Sequence, residues 1–203
     1  MAREKPIINT SLSYCAPNSR ITKIAIVRII SSNNQKSFRL YSHYFHGEYG
    51  NTPESFHNHT ILSINLYKQC LSKHSERHCA YSRDLEIKYD SPIYPGFYNI
   101  HLREWFNAFP REQFLIFRNE DFSEDAQDYL IKTFMFLDID IPSNKLLKKM
   151  AKMPRFRMTP GKYRAGPMLE KTRDILVEFY RPYLVDLSKL LEDDIYLFQD
   201  SNF

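Results

Sequence analysis

The sequence predicts an α/β domain in which helices flank a small parallel sheet. Two short segments, residues 21–30 and 113–118, are rich in Ile, Phe and Leu and have the length of buried strands. Segments with helical apolar spacing lie between and after them, an order typical of parallel strands joined through helices. With 203 residues, of which 43% are hydrophobic, the chain is long enough to bury one core and to form one domain.

The remaining segments are assigned from apolar residues that recur every three or four positions. They predict helices over residues 38–45, 55–73, 96–109, a segment that follows Ser123, and 170–191. In residues 55–73 the apolar positions are Ile61, Ile64, Leu66 and Leu71. In residues 96–109 one apolar stripe is expected, formed by Tyr98, Leu102, Trp105, Phe106 and Phe109.

Local signals set expectations at the helix ends. Ser123 precedes two carboxylates and is expected to cap a helix, because its hydroxyl can accept a bond from a first-turn N–H and the helix dipole favours negative charge there. Glu120 and Asp121 are interpreted as a turn at a helix entry rather than an acid/base pair, since adjacent side chains point in different directions. Pro182 is expected to kink or break the last helix, because proline lacks the N–H that a helix needs.

A long basic stretch is the sequence feature with the clearest chemical consequence. No Asp or Glu lies between Asp140 and Glu170, whereas the stretch contains Lys145, Lys148, Lys149, Lys152, Arg155, Arg157, Lys162 and Arg164. Lys162 and Arg164 lie in a Pro- and Gly-containing loop before a helix, where backbone N–H groups and fixed charge can hold an anion. The earlier lysines can equally be the solvated face of a helix, so both interpretations stay open.

Several other kinds of site find little support. The 7 histidines show no metal-ligand pattern, although His57-x-His59 is suggestive, and no metal is predicted. Neither a nucleophile elbow nor a Walker-type phosphate loop is present. No apolar run is long enough to span a bilayer, and residues 1–20 lack a signal-peptide core. These observations favour either a cytosolic chain or a natural start upstream of Met1.

The cysteines leave the compartment undecided. Cys70 and Cys79 enclose a short loop and Cys15 stands apart, and composition alone favours three free thiols over a disulfide. Sequons at Asn9 and Asn58 fit a lumenal chain, but such short patterns often arise by chance.

A set of motifs, in this order, resembles segments of the Golgi carbohydrate sulfotransferases. The motifs are Gly96-x-Tyr98, Leu102-x-x-Trp105-x-x-x-Phe109, Gln113-Phe114-Leu115-Ile116, Glu120-Asp121, Gly166-Pro167-Met168 and Phe179-Tyr180-Arg181-Pro182. The resemblance covers residues 17–198 and is nearest to the chondroitin N-acetylgalactosamine 4-sulfate 6-O-sulfotransferase type. It implies a P-loop-kinase-like fold and transfer of a sulfuryl group from 3′-phosphoadenylyl sulfate (PAPS) to a sugar hydroxyl.

The resemblance also implies which residues hold PAPS. Arg28 and Ser42 match the pair that binds the 3′-phosphate, with extra residues at 29–34 between them. A third PAPS-contacting segment corresponds to Lys162, Arg164 and Gly166. The family's Lys-rich phosphosulfate loop and catalytic base have no counterpart upstream of residue 21. The catalytic residues are therefore unassigned, and residues 1–203 are expected to be an incomplete sulfotransferase domain that does not transfer sulfate alone.

Acceptor, compartment and disulfide are further implications of the resemblance. Lys149, Lys152, Arg155 and Arg157 are expected to border a cleft for a sulfated glycosaminoglycan. A disulfide between Cys70 and Cys79 is expected, as is a Golgi-lumen location with a membrane anchor outside this chain. Neither a metal nor a nucleic-acid partner is expected. The alternative function is a non-catalytic polyanion-binding module of the same fold, with a basic nucleic-acid-binding domain as a more distant third.

Overall fold

The structure is a computed structural model, and it describes residues 28–30, 52–82, 84–85, 93–153 and 168–197. The chain divides into two compact units. Among the described residues, the first unit contains 28–30 and 106–153, and the second contains those from 52 to 105 together with 168–197. The single domain expected from the sequence stays a prediction.

The described residues are mostly helical. The strands are β1 (Arg28–Ile30) and β2 (Ile116–Arg118). The helices are α1 (Pro53–Leu71), α2 (Glu76–Ala80), α3 (Tyr98–Ala108), α4 (Asn119–Glu124), α5 (Ala126–Phe136), α6 (Asn144–Ala151) and α7 (Glu170–Leu191). Short 3-10 turns are formed by Tyr94–Gly96, Arg111–Gln113 and Asp194–Leu197.

Strand pairing occurs in the first unit. β1 and β2 run parallel, with Arg28 opposite Ile116 and Ile30 opposite Arg118. Phe117 of β2 is buried against Phe122 and Tyr129, with ring centroids 5.9 and 4.9 Å away. A sheet flanked by helices, as the predicted fold requires, is not established by this short pair and stays a prediction.

The prediction that Ser123 caps a helix is wrong. Ser123 lies inside α4, where its hydroxyl donates to the carbonyl oxygen of Asn119 at 2.7 Å. Asp125 caps α5 instead, because its carboxylate accepts from the backbone N–H of Asp128 at 3.0 Å. A carboxylate cap also has the more favourable charge at a helix N-terminus. Asp121 lies in the first turn of α4, so the predicted turn is part of a helix.

The second unit is organised by α1 and α7 around an aromatic core. Thr52 caps α1 by accepting from the N–H of Ser55 at 3.1 Å, and Pro53 occupies the first turn, where its missing N–H costs nothing. Tyr67 and Phe97 stack at 4.7 Å, and Tyr183 of α7 lies 4.7 Å from Phe97. The buried cluster consists of Phe56, Ile64, Tyr67, Cys79, Ala80, Ile93, Phe97, Ile100, Met168, Leu176, Tyr180 and Tyr183.

Two details of the helix predictions are corrected, and one alternative is decided. α7 covers residues 170–191 as predicted and continues through Pro182, so Pro182 does not break it, whereas a kink at Pro182 stays a prediction. Trp105, assigned to the apolar stripe of α3, is 41% exposed, and the buried residues of that helix are Asn99, Ile100 and Leu102. Ile61, assigned to the apolar side of α1, is also exposed. Apolar spacing alone does not determine which apolar side chains a neighbouring segment covers.

Candidate functional site

Ligands of parallel sheets bind beyond the carboxyl ends of the strands, so the carboxyl ends of β1 and β2 are a candidate ligand site. Arg28 begins β1 opposite Ile116, whereas Arg118 ends β2 opposite Ile30. Within the described residues, the backbone of Arg28 lies two positions before the carboxyl end of β1. Arg118, which the sequence reasoning did not select, is the arginine at the carboxyl end.

Arg118 is engaged by an ion pair. Its Nε donates to both carboxylate oxygens of Asp121, at 3.0 and 3.1 Å, and the two side chains are 14% and 15% exposed. Such a two-oxygen contact fixes both groups and joins the end of β2 to the first turn of α4. The Asp121 carboxylate is therefore held as a structural partner of Arg118, which disfavours a role as a catalytic base.

The lysines of α6 form the most strongly charged surface that the structure describes. At about 100° per residue, Lys145, Lys148, Lys149 and Lys152 fall within an arc of about 100° on one side of the helix. All of them are exposed, and no ion pair of these lysines is found among the described residues. We call this surface the lysine face; it extends about 10 Å along the helix axis.

Packing on the opposite side fixes the orientation of the lysine face. Leu147 is the buried residue of α6 and is 3% exposed. At the start of the helix, Asn144 accepts a hydrogen bond from the side chain of Gln127 of α5 at 3.0 Å. These contacts attach α6 to the first unit through its apolar side, so the lysines point into solvent.

A tight turn after α5 starts the approach to α6. Asp138 has a φ of 56°, and its N–H bonds to the carbonyl of Met135 at 3.1 Å. The next N–H, of Ile139, bonds to the carbonyl of Phe134 at 3.1 Å. These are the two bonds of a Schellman cap, which ends a helix in the left-handed conformation. Residues 139–143 then lead to α6 and contain Pro142.

Some of the predicted site residues lie in the ranges that the structure describes, and others lie outside them. Lys149 and Lys152 are brought together on the lysine face, where the structure adds Lys145 and Lys148. Their spacing of i, i+3, i+4 and i+7 was a signal available in the sequence. For Arg28 only the backbone is described. The predicted residues outside the described ranges are Ser42, Arg155, Arg157, Lys162, Arg164 and Gly166.

The second unit brings two of the resemblance motifs into contact. Tyr180 of α7 donates a hydrogen bond from its hydroxyl to the carbonyl oxygen of Ile93 at 2.6 Å, and it is buried. Its ring lies against Gly96, where a Cβ atom would be 2.5 Å from Cε1 of the ring. A glycine is therefore required at residue 96 by this close approach. These motif residues stabilise the fold of the second unit.

The disulfide implied by the resemblance is present. Cys70, near the end of α1, is bonded to Cys79 in α2, with Cα atoms 5.8 Å apart. Cys79 is 1% exposed and belongs to the core cluster. The bond therefore closes a short loop against the core of the second unit.

The histidines that suggested a metal set have other surroundings. His57 is buried, and its Nδ1 is 2.8 Å from the hydroxyl of Thr172, which is fully buried. Burial and the nearby charge of Lys171 lower the pKa of His57 from its ordinary value of 6.5. Within the described ranges, no group of three His, Cys, Asp or Glu side chains could hold a metal ion.

A polar network connects α3 with α7 in the second unit. Asp186 accepts hydrogen bonds from Asn99 at 2.7 Å and from the guanidinium of Arg103. Burial alone would raise the pKa of Asp186, but the bonds from Arg103 and Asn99 outweigh it, and the pKa lies below its usual value. The carboxylate therefore stays charged and positions the two helices.

Comparison with known proteins identifies relatives that match 64–78% of this chain. A human protein named carbohydrate sulfotransferase 15 is 31% identical over 160 residues, which are 78% of this chain and 28% of that protein. The mouse protein of the same name is 32% identical over 160 residues, which are again 78% of this chain and 28% of that protein. A squid protein of that name, from Nototodarus sloanii, is 30% identical over 135 residues, which are 64% of this chain and 82% of that protein.

The chain spans about 28% of the length of the human and mouse relatives. No family model and no solved structure matches it. Among the described residues, none of the helices combines the length and the apolar character needed to cross a membrane. The alignment with the squid protein nevertheless covers most of that relative. On this similarity, the chain belongs to the carbohydrate sulfotransferase family.

Proposed function

We propose that this protein serves in the transfer of a sulfuryl group from PAPS to a hydroxyl of a sulfated glycosaminoglycan. The acceptor we propose is N-acetylgalactosamine 4-sulfate in chondroitin or dermatan sulfate, modified at its 6-hydroxyl. Family membership supports the sulfotransferase part of the proposal. The observation that carries the acceptor part is the lysine face of α6, which no described carboxylate neutralises.

The lysine face suits a linear polyanion better than a small anion. Its lysines are spread over about 10 Å of helix, so they cannot all converge on one phosphate-sized group. A chain with a sulfate or carboxylate on successive sugars could meet several of them at once. Ammonium groups on flexible stems tolerate the variable spacing of such charges, whereas a buried fork of arginines would select one geometry.

The donor part of the proposal rests on the resemblance. Arg28 and Ser42 would hold the 3′-phosphate of PAPS, and Lys162, Arg164 and Gly166 would contact the donor from the loop before α7. Cations at such positions stabilise the negative charge that develops on the leaving phosphate during sulfuryl transfer. A base would deprotonate the sugar hydroxyl, and that base is unassigned.

Calorimetric titration with adenosine 3′,5′-bisphosphate tests the donor part. We expect saturable binding by the protein and its loss in the Arg28→Ala/Arg164→Ala double variant. The Arg111→Ala variant is a suitable control, because it removes an exposed arginine that has no place in the donor proposal. Equal binding by the wild type and the double variant would refute the assigned donor residues.

We further propose a location in the Golgi lumen, with a membrane anchor outside the described residues. The disulfide between Cys70 and Cys79 supports an oxidising compartment, since such bonds rarely persist in the cytosol. Carbohydrate sulfotransferases are typically Golgi enzymes, which supports the same compartment.

A non-catalytic polyanion-binding module is the second candidate. The lysine face favours it as well, because binding a sulfated glycan requires no donor. The two functions are separated by measuring labelled sulfate transferred from PAPS to chondroitin sulfate together with retention of the glycan. Incorporation that depends on PAPS identifies the transferase and contradicts the expectation that residues 1–203 do not transfer sulfate alone. Retention without incorporation agrees with the binding module for these residues, and incorporation by a longer chain that includes the upstream segments would then assign the transferase to that longer chain.

A further inference from the structure

Helix α1 presents a solvent face that includes an asparagine and two neighbouring apolar side chains. The exposed residues of this face are Glu54, Asn58, Ile61, Leu62, Asn65, Lys68 and Gln69. Ile61 and Leu62 are 36% and 45% exposed, although both are large and apolar. They follow Asn58 by three and four positions, so they are its neighbours on the helix surface.

We propose that Asn58 carries an N-linked oligosaccharide. Asn58-His59-Thr60 is a glycosylation sequon. Asn58 is exposed, whereas Phe56, His57 and Thr60 on the other side of α1 are buried. The disulfide of the same unit supports a compartment in which this modification occurs. The inference rests on the proposed lumenal location and not on the sulfotransferase reaction.

The modification would be a group transfer from a lipid-linked sugar. The side-chain amide nitrogen of Asn58 forms a bond to the anomeric carbon of an oligosaccharide carried on a polyprenyl diphosphate. The bond from that carbon to the diphosphate oxygen breaks, and the diphosphate leaves with the bonding electrons. The amide nitrogen loses one proton to solvent. A glycosyltransferase of the secretory pathway would catalyse the step.

The position of Thr60 sets the time at which the transfer can occur. Thr60 is fully buried, and its hydroxyl donates to the carbonyl oxygen of Phe56 at 2.8 Å. A transferase that must read this hydroxyl therefore cannot do so once α1 has packed. Glycosylation would precede folding of the second unit, and the folded helix would then present the attached sugar to solvent.

Ile61 and Leu62 form an apolar surface that a glycan on Asn58 would contact. Side chains on a helix lean toward its N-terminus, so Ile61 and Leu62 lean toward the turn that contains Asn58. The first sugar on Asn58 would cover part of both side chains. Removing the glycan should consequently expose apolar surface on α1.

The test is to express the full chain with a cleavable secretion leader in eukaryotic cells, in an Asn9→Gln background that removes the other sequon. We expect a glycan that peptide N-glycosidase releases, leaving Asp in place of Asn58 in the peptide mass spectrum. Asn58→Gln and Thr60→Val should abolish it, and Thr60→Ser, which keeps the hydroxyl, should retain it. Asn65→Gln is the matched control on the same face and should change nothing.

Thiol labelling of the same samples separates a folding failure from a failure of the proposal. If Cys70 and Cys79 are protected as a disulfide but Asn58 is unmodified, the chain has folded in the secretory pathway and the glycan proposal is wrong, whereas the proposed sulfotransferase function is unaffected. As a second readout, enzymatic removal of the glycan should increase binding of an apolar-surface dye, and an Ile61→Ser/Leu62→Ser variant should lose that increase. No change in dye binding would contradict the contact between the sugar and these side chains.

Discussion

Replacing Lys149 and Lys152 with glutamine should weaken binding of a sulfated glycosaminoglycan. Both side chains are exposed and lie on the lysine face of α6, away from the buried Leu147. Glutamine keeps helix propensity close to that of lysine, so the fold of α6 should not change. The substitution therefore removes two positive charges from the proposed contact surface and little else.

The size of the effect follows from the exposure of the lysines. An ion pair in solvent is worth about 0.2–1 kcal/mol, so the loss of two such contacts should cost about 0.4–2 kcal/mol. That cost corresponds to a roughly 2- to 30-fold weaker dissociation constant. The difference between the proteins should shrink as salt is added, because the Debye length is already about 8 Å at 0.15 M ionic strength.

The assay is a titration of immobilised chondroitin sulfate at two salt concentrations. The matched control is Lys68→Gln/Lys73→Gln, which removes the same charge from exposed positions at the end of α1. An equal loss of affinity in the control would show that net charge, and not the lysine face, determines binding. Unchanged affinity in the Lys149→Gln/Lys152→Gln protein would refute the reasoning directly.

Three further predictions concern the second unit. Gly96→Ala should lower the free energy of unfolding by about 1–3 kcal/mol in a denaturant titration, because its Cβ would lie 2.5 Å from the buried ring of Tyr180; an unchanged midpoint would contradict this contact. Replacing Cys70 and Cys79 with alanine should lower the free energy of unfolding by about 2–3 kcal/mol, and reductant should not lower the stability of this variant further. Continued sensitivity of its stability to reductant would count against the disulfide as the cause. Because burial lowers the pKa of His57, the unfolded chain binds more protons than the folded protein. The free energy of unfolding should therefore fall as the pH decreases from about 6.5 toward the lowered pKa. His57→Gln should flatten this dependence, and an equally steep slope in that variant would be inconsistent with the prediction.

Elements defined by strong local patterns could be predicted from the sequence. α7 has the predicted bounds of 170–191, because a long apolar stripe gives a clear helical period. α3, predicted over 96–109, is observed as Tyr98–Ala108. Its surroundings were less predictable: Asn99 is buried because it bonds to Asp186, which is 87 positions away in the sequence. A polar residue gives no local sign of such a distant partner.

Nearby polar residues explain the error at the start of α5. Ser123 was predicted as the N-cap, with the carboxylates after it in the first turn, whereas the structure uses the carboxylate of Asp125 as the cap. Pro182 lacks an N–H but remains inside α7, since packing of Tyr180 and Tyr183 on either side keeps the helix in place. The helix is stabilised by these tertiary contacts, which sequence spacing does not reveal.

The candidate site was predictable in its charge and not in its geometry. The basic stretch was evident from composition, and the i, i+3, i+4 and i+7 spacing of its lysines already implied one helix face. Exposure of that face depends on Leu147 and on the contact between Asn144 and Gln127, which attach α6 to α5. Such packing contacts form only in the folded chain, and the spacing of residues in the sequence does not reveal them.

Lysine footprinting tests the central claim most directly. The protein is acylated in the presence and absence of chondroitin sulfate, and the rate at each lysine is read by mass spectrometry. The account predicts selective protection of Lys145, Lys148, Lys149 and Lys152, with Lys68, Lys73 and Lys189, which are also exposed, modified at unchanged rates. Uniform protection of all exposed lysines, or none on α6, would contradict the assignment of the lysine face as the glycan-binding surface.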